Sequence, residues 1–423
     1  MGLKKIFLVL TLCPAFAALL GTAVAVVVLA VAMFIGLSKN GSTEKITSEQ
    51  IAVGEDHMLA VDAGGAVYAW GHNNKGELGN SNCDNQSKPV KAVKISGKVT
   101  QVAAGDELSF ALCKDGDLYA WGDDTSYQMG DGDNTSRMEP KKVNTDIAMI
   151  AAGTKHALAI DTSGALYVWG RNKNGALGVA DSACDKKDEE GYACMSAPYK
   201  LMDNVAYIDA GDDYSMAITT DGTLYAWGYD EDGQLGLAKT DSTNSKGEAY
   251  QSKPAKVMDG IKMVSCGAKY MAFALKENGD LYGWGNNSVG SLGVKSVDDA
   301  ARSVQTKPKK LMSDVSYVDA GSAHAAVLKT NGDLYTFGVN NYHQIGIKFG
   351  DGTYAIGQET IYYQSKPRKL AENVEAVAAG GFNTLYRSKD GVLRSVGCNL
   401  YKQLGIGSEE SDVKTPTAVY LKN

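Results

Sequence analysis

The chain has 423 residues, 44% of them hydrophobic, with 48 Gly and only 8 Pro, enough to build a large all-β body. Its 49 Asp and Glu against 42 Lys and Arg leave a formal net charge of −7. With no clustered basic stripe, that balance reads as excluding nucleic acid as a partner, because phosphate binding needs concentrated positive charge.

From the N-terminus, Ile6 to Leu37 carry no charge over 32 positions, where about 20 apolar residues suffice to cross a bilayer. Residues 1–37 therefore read as a signal-anchor that meets the lipid bilayer through residues 6–37. Lys4 and Lys5 precede the run, and Lys39, Glu44 and Lys45 follow it. The very short N-terminal tail favours an N-inside, C-outside topology. The expected location is the cell membrane, single-pass, with the rest of the chain extracytoplasmic. A signal cleaved near Ala23-Val24-Ala25 is the alternative, although Val26 to Leu37 stays apolar where a cleaved signal has normally turned polar. Residues 38–48 read as a polar linker overlapping the start of the first strand.

From residue 46 to 423 one unit repeats seven times. Each copy has a small residue and Gly, an apolar strand, a Gly-containing turn, a Leu-Tyr-x-Trp-Gly phrase and Leu-Gly. The Trp-Gly glycines are Gly71, Gly122, Gly170, Gly228, Gly285, Gly338 and Gly397, and a further glycine follows each by 8 positions. The stretch from that glycine to a proline varies, holding 9, 9, 19, 17, 14, 20 and 10 residues in the seven copies. A constrained unit with one free loop is the signature of a repeat array.

The pattern predicts four strands per unit, which in the fourth copy are Val205–Ala210, Ser215–Thr220, Thr223–Trp227 and Pro254–Met258. Pairs such as Asp115-Gly116 and Asp221-Gly222 predict two-residue hairpin turns and antiparallel pairing. Both faces of the third strand are apolar, so each sheet needs cover on both sides. Seven such sheets satisfy one another by stacking radially, which predicts a seven-bladed β-propeller of four-stranded antiparallel blades.

The phrases Ala-Ala-Gly-x-x-His, Asp-Gly-x-Leu-Tyr-x-Trp-Gly and Asn-x-x-Gly-x-Leu-Gly resemble the regulator of chromosome condensation repeat. That resemblance implies a seven-bladed propeller across about residues 46 to 421. Its functional implications are divided among guanine-nucleotide exchange, light sensing and enzyme inhibition. The Gly-Trp-Arg-His-Thr phrase expected of the light-sensing branch is missing. Phe337 and Val396 stand where the repeat has Trp, and Tyr127, His343 and Lys402 where it has Gly, which marks those blades as candidates for looser packing or for carrying something extra.

Antiparallel connectivity puts all the length variation on one face, where binding usually resides. Loop six offers Phe349, Tyr354, Tyr362 and Tyr363, and loop four ends near Tyr250. These aromatics are the candidate ligand-binding residues, with packing onto the propeller as the alternative. Cys184 and Cys194, in one loop of an exported domain, are expected to form a disulfide. Cys113 and Cys266 read as small core residues, while Cys83 and Cys398 have no evident partner. His57, His156 and His324 share one repeat position in separate blades and read as structural, since the spacing is too wide for tetrahedral zinc. Asp131-Gly132-Asp133 and Asp230-Glu231-Asp232-Gly233 are too short for an EF-hand loop and read as turns, with calcium binding as the lesser alternative.

Without a phosphate loop, metal-ligand spacing or Ser/His/Asp grouping, no metal or cofactor is expected. The sequence reading is thus of a non-enzymatic, extracytoplasmic module binding a protein or cell-surface ligand on the long-loop face. An inhibitor of an extracellular enzyme is the alternative. Guanine-nucleotide exchange, which needs cytosolic or nuclear access, and an enzyme acting on wall polymer rank lower.

Overall fold

The computed structural model describes residues 48–294, 303–356 and 359–421. The expected anchor over residues 6–37 and nearly all of the linker lie outside them. The propeller belongs to the compact unit Ile46–Asn423.

Each repeat forms one antiparallel sheet whose four main strands pair in chain order, and no strand is exchanged between sheets. The first strands are Ile51–Val53, Val99–Ala104, Ile147–Ala152, Val205–Ala210, Ile261–Cys266, Val315–Ala320 and Val374–Gly380. The ring closes where the last blade meets the first. There Ile51, Met58 and Trp70 share a buried cluster with Ala376, Leu385 and Val419, Ser48 Oγ accepts from Val377 N at 3.1 Å, and Gly407 N donates to Ser87 O at 2.7 Å.

In the fourth blade the strands are Val205–Ala210, Tyr214–Thr219, Leu224–Tyr229 and Ala249–Met258. The fourth strand starts five residues before the expected proline because Tyr250 and Gln251 still pair with Tyr229 and Gly228. The hairpin turns also differ from expectation. Gly222 N donates to Thr219 O at 2.8 Å and Thr219 N to Thr223 O at 2.9 Å, which makes a three-residue loop closed by glycine at φ +82. One left-handed residue is needed, not two, so Asp221 keeps ordinary backbone and its Oδ1 accepts from Thr223 N.

Two recurring phrases prove to be one device. The tryptophan of each of blades two to five donates its indole N–H to a carbonyl of the preceding blade: Trp121 to Glu77, Trp169 to Gln128, Trp227 to Ala176 and Trp284 to Gln234, at 2.7 to 2.9 Å. The Leu-Gly glycine of that preceding blade makes the room. A Cβ on Gly79 would lie 2.8 Å from Trp121 Nε1, and its φ is +67. Where the repeat departs, the seat is filled otherwise. Phe337 packs over Gly293 and edge-on to Phe273, and Val396 is fully buried. The expected loosening of those blades is therefore not seen. Tyr127, His343 and Lys402 keep the glycine's left-handed backbone at φ 62, 63 and 68.

The long loops of blades three, four and six each add a short fifth strand, at Lys186–Lys187, Ser242–Thr243 and Gly352–Ile356. In blade three this corrects the expected disulfide: Cys184 and Cys194 are free thiols. Cys194 is fixed in the fourth strand opposite Lys186 and Arg171, and its Sγ donates to Tyr192 O. The loop is held by that strand pairing and by Arg171, whose guanidinium reaches Asp188 Oδ2 at 2.6 Å and Glu190 Oε1 at 2.7 Å.

Candidate functional site

Every first strand runs into a glycine, Gly54, Gly105, Gly153, Gly211, Gly267, Gly321 or Gly380, and these glycines form a collar at the propeller axis. A Cβ on Gly54 would lie 2.5 Å from Gly105 O, one on Gly105 2.5 Å from Gly153 O, and one on Gly153 2.6 Å from Gly211 O. At these three positions only glycine lets neighbouring blades approach this closely. Around the collar runs a cavity of about 430 Å³, lined by Glu55, Asp106, Asp209, Asp212, Lys269 and Asp319 among others.

The two residues after each collar glycine, three in the fifth blade, form the turn to the second strand, on the same face as the long loops. Three of these turns are doubly acidic: Glu55-Asp56, Asp106-Glu107 and Asp212-Asp213. Lys155 and Lys269 are the only basic residues in the set. Lys155 is committed to Asp123 Oδ2 at 2.8 Å, outside the ring of turns, and Lys269 stands 3.4 Å from Asp212 Oδ2. Ser322 Oγ, from the sixth blade, donates to Glu55 Oε2 at 3.3 Å, and Thr154 Oγ1 donates to Asp212 Oδ1 at 2.8 Å.

Burial, and after it the crowding of like charge, changes the chemistry of these acids. Burial, then the fields of Asp56, Asp212 and Asp106, push the Glu55 carboxyl up to about 7. Burial and the Asp106 charge push Asp56 to about 6 against the opposing pull of His72. Asp106, Glu107 and Asp213 are also raised, burial being the main cause. Deeper in the channel, Asp209 accepts from Cys266 N at 2.7 Å and Asp319 from Ala379 N at 2.8 Å. Desolvation lifts both to about 7. The mouth is thus an anionic funnel that gains by receiving positive charge.

The repeated histidines take no part in it. Ser109 Oγ donates to Glu77 O, so the His57 Nε2–H, 2.8 Å away, must donate to Ser109. His156 with Ser215 and His324 with Thr384 repeat the pattern. Each joins neighbouring blades, and burial drives each histidine down to about 4, keeping it neutral.

The expected aromatic site is not brought together as one patch. Phe349 and Tyr362 are exposed, but Tyr363 packs where a Cβ on Gly352 would meet its ring, and Tyr250 lies against Gly175. Tyr354 pairs through its backbone with Ile361, and its side chain lies outside what is described. The acidic turns were missed because residues next to an invariant glycine look like scaffold. A usable signal was present, since Gly-Glu-Asp, Gly-Asp-Glu and Gly-Asp-Asp put the same sign at one repeat position in three copies.

A family model described as RCC1-like domain matches residues 31–272. Models of the regulator of chromosome condensation repeat match 261–291, 315–344 and 278–328. The "Ultraviolet-B receptor UVR8" of Arabidopsis thaliana is 34% identical over 262 residues, 60% of this chain and 56% of that protein. The chain therefore spans little more than half of that relative's length. The "Guanine nucleotide exchange factor SRM1" of Saccharomyces cerevisiae is 28% identical over 412 residues, 87% of this chain and 73% of that protein. A solved structure of Prp20p from Saccharomyces cerevisiae, described with its binding properties to Gsp1p and histones, shares the fold at a TM-score of 0.71 and 21% identity, covering 90% of each chain.

These findings overturn the functional expectations. A guanine nucleotide exchange factor among the relatives corrects the reading as a non-enzyme, as a cell-surface ligand module, and as an inhibitor of an extracellular enzyme. The cell-surface partner and the exclusion of nucleic acid are set aside with that reading, on the same exchange-factor relative. The cell-membrane location is set aside on the same relatives, and no helix among the described residues is long and apolar enough to cross a membrane. The lipid contact proposed for residues 6–37 falls outside the described residues.

Proposed function

Because the chain belongs to the RCC1-like domain family, we propose that its propeller, residues 46–423, is a guanine nucleotide exchange factor that engages a small GTPase through the acidic mouth of the axial channel. The observation that carries this reading is the convergence of Glu55, Asp106 and Asp212 from three blades on one opening, with only Lys155 and Lys269 as basic residues among the turns around it. The relative named as an exchange factor supports it, since the matched region takes in 87% of this chain.

Exchange needs no bond to be made or broken by the propeller. A GTPase holds its nucleotide through a lysine and a magnesium ion on the phosphates. Carboxylates brought up to that site compete with the phosphates for the same positive charge, so the nucleotide leaves faster. The raised protonation equilibria of Glu55 and Asp56 keep the free mouth tolerable, and docking of a cation restores the charged forms. Exposed Phe349 and Tyr362, on the same face, are assigned as flanking anchors.

The test is release of a fluorescent GDP analogue from Gsp1p, with the full chain added. Acceleration of at least tenfold is expected, falling as ionic strength rises. The Glu55→Gln, Asp106→Asn, Asp212→Asn triple variant should return the rate towards the intrinsic one. No acceleration, or a triple variant as active as the parent, contradicts the proposal.

A further inference from the structure

A second site follows from comparing one position across the seven blades. Two residues after each Trp-Gly glycine stand Asn73, Asp124, Asn172, Asp230, Asn287, Asn340 and Asn399. In every blade the side-chain Oδ1 accepts from the backbone N–H five residues on, for example Leu78, Met129, Leu177 and Leu235 at 2.8 to 3.0 Å. In the asparagine blades Nδ2 then donates to acceptors of the following loop. Asn172 reaches Val179 O at 2.9 Å and Asp181 Oδ1 at 2.8 Å, seven and nine positions on. Asn287 and Asn340 reach Val294 O and Ile347 O in the same way.

In the second blade the donor has become a carboxylate, Asp124, and the residues seven and nine positions on are Asp131 and Asp133. An oxygen from each of the three lies within 4.8 Å of the others. Asp124 is fully buried, and its Oδ2 has no hydrogen-bond partner. An acceptor thus sits among acceptors where the sister blades place a donor, and a positive centre is missing. Arg137 and Lys141 pair with Asp131 and Asp133, and neither makes a hydrogen bond to Asp124 Oδ2. Arg137 Nη2 reaches Asp131 Oδ2 at 3.0 Å and Asp133 Oδ2 at 2.8 Å, and Lys141 Nζ reaches Asp131 Oδ2 at 2.6 Å. Both bases are partly exposed and can turn to solvent. Burial, joined by the charges of Asp131 and Asp133, pushes Asp124 up to about 8.

We propose that Asp124, Asp131 and Asp133 bind a calcium ion that does the work of the asparagine Nδ2 in the other blades. A set made only of oxygen donors suits a hard cation, and calcium accepts the irregular coordination, completed by water, that a turn can offer. The ion would also brace the second blade on the third, since Gly132 N already donates to Ser196 O at 3.0 Å. The fourth blade is the internal control. Asp230 is likewise buried and raised to about 7, but Leu237 and Lys239 occupy the positions seven and nine residues on.

The experiment uses the full chain stripped with chelator, titrated with calcium by thermal melting and with terbium by luminescence excited through tryptophan. Trp169 is the antenna, since its ring would lie 2.7 Å from a Cβ on Gly130, next to Asp131. Calcium should raise Tm and displace terbium. Asp124→Asn installs the residue of the sister blades, so it should melt at or above the stripped parent while binding calcium at least tenfold more weakly. Asp230→Asn should leave the response intact. A parent indifferent to calcium, an Asp124→Asn variant that responds as the parent does, or loss of response in Asp230→Asn would overturn the proposal. So would a calcium-independent parent whose Tm falls as pH rises through 8 only while Asp124 is present, because a proton would then fill the gap.

Discussion

At the scale of single residues, the invariant positions are explained by contacts between blades. Gly79 carries a left-handed backbone and gives room to Trp121, so Gly79→Ala meets both a backbone cost of roughly 1–2 kcal/mol and a displaced indole. A loss of about 2 kcal/mol in urea unfolding is expected, with unchanged far-UV circular dichroism. Trp169→Phe keeps an aromatic ring in the seat but removes the indole N–H and leaves Gln128 O without its donor. It should cost about 1–3 kcal/mol in the same measurement, the penalty of a buried unpaired group. These roles were legible in the sequence because spacing alone shows which glycine and which tryptophan recur. Their pairing across blades was not legible, since it joins residues 41 to 51 positions apart that meet only after the sheets stack.

At the scale of elements, the third loop shows what spacing cannot tell. Two cysteines ten positions apart suggested a bridge, but the register that sets Cys194 opposite Lys186 and Arg171 decides where each thiol goes. A reducing agent should therefore leave the melting temperature of the purified chain unchanged. Arg171 is the true fastener. It holds Asp188, which Ser126 of the second blade also contacts at 3.0 Å, and it lies 4.9 Å over the Tyr192 ring. Arg171→Ala leaves a buried carboxylate without its cation and should cost about 3 kcal/mol. Hydrogen exchange should accelerate first over residues 179–197. The three fifth strands were equally hidden, because their loops carry no alternating pattern and pair only as extensions of the fourth strand.

At the scale of the whole molecule, ring closure creates the site. Residues 55, 106 and 212 are distant in the chain and meet only because seven collar glycines converge, so the funnel was beyond a reading taken one repeat at a time. The same geometry sets a pH dependence. Glu55, Asp209 and Asp319 have folded values near 7, above their ordinary range. The stability they contribute is full below about pH 4 and is lost as pH rises through 7. His57, His156 and His324, lowered to about 4, contribute stability above pH 6.5 that is lost as pH falls towards 4. The two sets oppose one another between pH 4 and 6.5, and above that only the carboxylates titrate. In chelator, Tm should fall from pH 6.5 to 8, and an Asp209→Asn, Asp319→Asn variant should flatten that decline.

The placement of the partner at the axial mouth is tested most directly by hydrogen exchange of the full chain with and without nucleotide-free Gsp1p. Protection is expected at the turns of residues 54–57, 105–108 and 211–214, with lesser protection around Phe349 and Tyr362. Protection confined to the opposite face, at the glycine hairpins of residues 62–66, 113–117 and 219–223, would contradict it.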